Sequence, residues 1–118
     1  MTDEEANLVL VEKSAACCLE KLADPGAIPE EGSFRPYRVA FRYRGSENEV
    51  MFRFEHQGGA LRRLSLAAVR PGRDVMVSHY IMRGSNGEIA ACLADKSRIP
   101  EWVESFRSLS ASIDDKLD

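Results

Sequence analysis

The stretch Tyr37-Arg38-Val39-Ala40-Phe41-Arg42-Tyr43-Arg44, Gly45-Ser46-Glu47-Asn48, Glu49-Val50-Met51-Phe52-Arg53-Phe54-Glu55-His56 decides the fold. Tyr37, Val39, Phe41 and Tyr43 alternate with Arg38, Ala40, Arg42 and Arg44. Val50, Phe52 and Phe54 alternate with Met51, Arg53 and Glu55. A period of two built from aromatic and β-branched residues is the pattern of a strand buried on one face. With Gly45 to Asn48 as the loop, Phe41 is expected opposite Phe52, Val39 opposite Phe54, and Arg44 opposite Glu49. The aromatics then share one face and the charges the other, and a slip by one residue would turn the apolar set outward.

Outward from the hairpin, Thr2-Asp3-Glu4-Glu5 has capping-box spacing. Leu8, Val11, Ala15, Cys18, Leu19 and Leu22 then recur at helical spacing, which predicts a helix from about Asp3 to Ala23. Asp24-Pro25-Gly26 ends it, and 24–35 reads as a loop. Gln57-Gly58-Gly59 reads as a turn. Residues 60–70 fit a strand, with Leu64, Leu66 and Ala68 on one face; a helix there would leave Leu66 off its stripe. Asn86-Gly87 is a hairpin turn signal, so Asp74–Arg83 and Glu88–Ala94 are expected to form a second hairpin, apolar on both faces. Ser97 is the expected cap of a last helix with Trp102, Phe106, Leu109, Ile113 and Leu117 as its stripe. Asp114, Asp115 and Asp118 stand at the wrong end of that helix's dipole, so its last turn is expected to fray.

The expected fold is therefore α+β: one domain over 1–118, ordered α-β-β-β-β-β-α, with an antiparallel meander sheet packed by the two terminal helices. At 118 residues with 44% hydrophobic and 30% charged residues, the chain has enough apolar side chains for one core.

Net charge is −3, yet residues 35–83 hold ten Arg and four acids, while the rest holds six Lys or Arg and fifteen acids. The strands are basic and the helices acidic. Arg38, Arg42, Arg44 and Arg53, joined by Arg63, form the first candidate site, a sheet face for an acidic protein. Val75, Val77 and Ile81 of the second hairpin form the other, an apolar patch that a second copy of the chain is one candidate to cover. Nucleic acid is disfavoured, because stacking aromatics should share the basic face and here they point away from it.

No run is long and apolar enough to span a bilayer. The acidic start is not the basic region of a signal peptide. Three cysteines do not make a disulfide framework, so Cys17, Cys18 and Cys92 are expected as reduced thiols in the cytoplasm. No metal or cofactor motif is present, and no catalytic residue is assigned. A pocket near Tyr37, His56, His79 and Tyr80 is the enzymatic or ligand-binding alternative. The function expected from these features is a partner-binding module of a bacterial inhibitor, immunity or secretion-chaperone type. The layout of helix, meander sheet and closing helix resembles class I secretion chaperones in the order of elements alone. That resemblance implies a homodimer that binds extended peptide in apolar grooves.

Overall fold

The computed structural model describes residues 2–23, 32–34, 38–57 and 61–117. Helix α1 (Asp3–Leu22) starts where Thr2 accepts the Glu5 N–H at 3.1 Å. Strands β1 (Gly32–Phe34), β2 (Val39–Tyr43), β3 (Ser46–Gln57), β4 (Leu61–Val69) and β5 (Met76–Gly84) follow. Helix α2 (Asn86–Ala94), a 3-10 turn (Lys96–Arg98) and α3 (Ile99–Leu117) close the chain. Tyr37, the 24–31 part of the expected loop, the Gly58-Gly59 turn and the His56 side chain lie outside what is described.

The sheet is antiparallel throughout. β3 is its long spine. β4 pairs along one side of it, and β1 and β2 share the other side end to end. The α+β class, the antiparallel order of the sheet and its packing by helices from both ends of the chain stand as read. Residues 61–69 are a strand.

Three expectations are corrected. The hairpin loop is the two-residue turn Arg44-Gly45, both with positive φ (48° and 79°), so Phe41 opposes Asn48 and Val39 opposes Val50. Positive φ at both central residues is the geometry that matches strand twist in a tight hairpin. The register is displaced by four residues along β3, an even number, so every side chain keeps its predicted face. Gly32–Phe34, read as loop, is a strand that takes up the far half of β3. The second hairpin does not form, because 86–94 is helix. Ser85 accepts the Glu88 N–H and the Glu88 side chain accepts the Ser85 N–H. That reciprocal cap overrides the Asn-Gly turn signal. Similarly, Asp95 rather than Ser97 caps the 3-10 turn that leads into α3. The last turn of α3 extends to Leu117, with Asp114 held by Arg70.

All three helices contribute to one core on a single sheet face. Phe41, Val50, Phe52, Phe54, Leu64, Leu66 and Ala68 meet Val11, Cys18, Ile89, Leu93, Trp102, Phe106 and Ile113. Phe52 stands edge-on to Trp102 (centroids 5.1 Å apart, planes at 81°) and to Phe106 (5.8 Å, 88°), a favourable quadrupole geometry. Among the described residues no helix covers the other sheet face.

Candidate functional site: the sheet face, the β5 edge and the groove between α1 and α3

Strand alternation assigns the arginines to the helix-free face. Arg42 on β2, Arg38 just before that strand, Arg53 on β3 and Arg63 on β4 share it with Glu47, Glu49 and Glu55. The face is internally compensated. Arg38 pairs with Glu49 at 3.0 Å, and Glu55 lies between Arg63, which donates through Nε at 2.7 Å, and Arg53 at 3.8 Å. Arg53 is nearly enclosed, with 12% of its side chain exposed. Met51 and Ala67 at the middle of the face are fully buried, and neither belongs to the main core. Arg42 is exposed at the β2 flank, and Arg44 lies in the turn with its guanidinium 5.2 Å from the centre of the Tyr43 ring. The structure thus pairs Arg38 with Glu49, brings Arg53 and Arg63 together on Glu55, and leaves Arg42 and Arg44 at the margin.

The apolar candidates fall elsewhere. Val77 is buried in the core, and Val75 and Ile81 pack against it. With 86–94 folded as a helix, these three do not form an exposed patch. The exposed apolar residues of β5 are instead Met76 and Tyr80.

A second feature was not legible in advance. At the N-terminal ends of α1 and α3, Leu8, Pro100 and Val103 floor a groove of about 500 Å³ rimmed by Glu4, Glu5, Glu104 and Arg107. Arg107 reaches Glu104 on its own helix at 2.5 Å and Glu4 on α1 at 3.4 Å, tying the two helices at the rim. Leu8 and Val9 are exposed at 40% and 50%. The signal in the sequence is the unbroken run Leu8-Val9-Leu10-Val11, which cannot all lie on one helical face.

His79 is exposed on β5 and lines a shallow groove with Ser78, Ser105, Ser108, Leu109 and Ser112. Among the described residues no carboxylate borders it. Burial pushes the Cys18 thiol up to about 12, with the neighbouring Cys17 adding to the effect. Burial also raises Cys92. The Ser97 hydroxyl and N–H, both donated to Asp95, hold that carboxyl below the usual range. Among the described residues no three His, Cys, Asp or Glu side chains stand close enough to share a metal ion. No described helix is long and apolar enough to cross a membrane. Comparison with known proteins finds no matching family model, no similar curated sequence and no similar solved structure.

Proposed function

We propose that the chain is a non-enzymatic protein-binding module whose main recognition surface is the groove between α1 and α3. The observation that carries this reading is an apolar floor at Leu8, Pro100 and Val103 inside a rim of three glutamates and Arg107, which pairs with Glu4 and Glu104. An apolar floor takes anchor side chains, and a charged rim selects their flanks. The occupant of matching chemistry is a basic segment with aliphatic or aromatic anchors, presented as a helix or an extended strip. Such binding suits a chaperone-like role toward a client segment, because the groove adds an apolar floor that the salt-bridged arginine face does not offer. The three cysteines are free, two of them buried, which fits work in a reducing compartment such as the cytoplasm.

A second reading keeps an acidic partner on the β2 flank, favoured by the exposed Arg42 beside Arg44. Both readings are tested by native capture from the source cells with mass spectrometry, comparing wild type, Leu8→Arg with Glu5→Arg, and Arg38→Glu with Arg42→Glu. The groove reading expects one dominant protein, lost with the first variant and kept with the second. The opposite pattern moves the site to the arginine flank. Capture of no protein by folded wild type overturns the module reading itself.

A further inference from the structure

The two edges of the sheet are treated differently. At the β2 edge, Asn7 of α1 occupies both backbone groups of Arg42, donating to its carbonyl at 2.9 Å and accepting its N–H at 3.1 Å. A clamped edge cannot accept another strand there. At the β5 edge no described strand or side-chain clamp takes this place. Nine residues run from Met76 to Gly84 with neither Lys nor Pro to discourage pairing, and Met76, Ser78, His79 and Tyr80 are exposed.

We propose that β5 is the joint of a symmetric homodimer, pairing antiparallel with β5 of a second copy about a two-fold axis at Ser78. The sequence of the edge is self-complementary about that point. Ser78 meets the partner's Ser78, two small residues on the axis. On either side Met76 meets the partner's Tyr80. These two residues are 43% and 55% exposed, both on the helix-free face, and a thioether beside an aromatic ring is a favourable contact. Val77 meets the partner's His79 on the opposite face.

The β-bulge extends the match. Between Ser65, which pairs Tyr80, and Leu64, which pairs Met82, β5 carries Ile81 as an extra residue. Tyr80 and Ile81 together oppose the partner's Met76, as a bulge sets two residues against one. Beyond it Met82 faces the partner's Val75, and Arg83 faces the partner's Asp74 on the same sheet face. Asp74 and Arg83 are both exposed, and neither has an ion pair among the described residues. The dimer gives each of them its opposite charge, twice by symmetry.

Room exists on the helix side as well. The groove of about 350 Å³ between β5 and α3 is lined by Ser105, Ser108 and Ser112, so short hydroxyl side chains flank the path of an added strand. The result is one continuous sheet across both copies. The inference does not depend on the reading of the α1–α3 groove, which lies at another part of the molecule.

The test uses the full chain, with Cys17→Ser as background to remove the half-exposed thiol. Sedimentation velocity across the micromolar range is expected to show a monomer–dimer equilibrium. Ser78→Cys is expected to cross-link to itself under a mild oxidant much faster than Arg73→Cys, because directly opposed residues have Cα atoms about 4.5 to 5.5 Å apart, within disulfide reach. Asp74→Arg alone, or Arg83→Asp alone, is expected to weaken the dimer by about tenfold or more, and the double swap to restore it. A monomer at all concentrations overturns the proposal, including one whose edge is taken instead by an extended peptide of another protein. So does a dimer that Ser78→Cys does not cross-link or that is indifferent to the charge swaps.

Discussion

The Asn7 side chain grips both backbone polar groups of Arg42, imitating across 35 residues the bonds that a neighbouring strand would make. Asn7 is itself buried, at 4% exposure. One amide thereby fastens α1 to the sheet and caps the β2 edge. Asn7→Ala leaves an N–H and a carbonyl without this partner and is expected to cost about 1–3 kcal/mol. Asn7→Asp keeps the acceptor for the Arg42 N–H but buries a carboxylate oxygen against the Arg42 carbonyl, so it is expected to destabilise at least as much as alanine. Urea unfolding of the three proteins checks both points. Leu8→Ala, at an exposed neighbour, is expected to stay within about 0.5 kcal/mol of wild type.

Arg70 plays a similar role on β3, at Asn48, the cross-strand partner of Phe41. Its Nε donates to Asn48 Oδ1 at 2.6 Å, and its Nη2 holds Asp114. Asn48 is fully buried, so Arg70 both satisfies the oxygen of a buried amide and anchors the last turns of α3 despite the acids there. Arg70→Ala is expected to destabilise by about 2 kcal/mol and to increase amide exchange in the last turn of α3. Asp114→Ala removes one partner only and should cost less. Equal loss in the two variants would remove Asn48 from the account.

The elements that local chemistry specifies alone were legible. The period-two pattern of 39–43 and 50–54, the 61–69 strand and the stripes of α1 and α3 follow from side-chain alternation and helical spacing. Two misreadings have physical causes. Asn86-Gly87 is a turn signal and Ser85-x-x-Glu88 a capping signal in the same four residues, and the reciprocal cap prevails because it satisfies backbone N–H groups at the start of a helix. The hairpin register depends on whether Arg44 accepts positive φ, which no propensity favours for arginine. At the sites, alternation put Arg38, Arg42, Arg53 and Arg63 on one face, but Arg44 falls in the turn, and the pairing with Glu49 and Glu55 is a matter of register and rotamers. The α1–α3 groove depends on where two distant helix ends meet, which periodicity does not encode.

The turn itself makes a prediction. Arg44 adopts φ 48° beside Gly45 at φ 79°. A non-glycine residue there carries a penalty of about 1–2 kcal/mol, offset in part by the exposed guanidinium–Tyr43 contact, worth about 0.5–1 kcal/mol. Arg44→Asn is therefore expected to be neutral or to stabilise by up to about 1 kcal/mol, since asparagine tolerates the left-handed region. Gly45→Ala is expected to destabilise by about 1 kcal/mol or more, although nothing within 4 Å would meet its Cβ. Thermal melts of the two variants should move in opposite directions, or Arg44→Asn should not move at all.

Cys18 couples the core to alkaline pH. Its thiol is pushed from 9.0 up to about 12 by burial first and by Cys17 second. The folded state thus binds the proton more tightly than the unfolded chain does. Between the two values the unfolded chain releases a proton that the folded protein retains, so stability is fully present below pH 9 and falls as pH rises toward 12. Across the whole interval the loss amounts to about 4 kcal/mol. Cys18→Ala leaves a small cavity, lowering stability at neutral pH, but it removes this slope. Plotted against pH from 8 to 11, the difference between wild type and variant is therefore expected to shrink. A constant difference would mean that the thiol does not stay protonated in the folded core. Thiol labelling at pH 8 gives an independent reading: Cys17 should react first, and Cys18 only as fast as the protein opens.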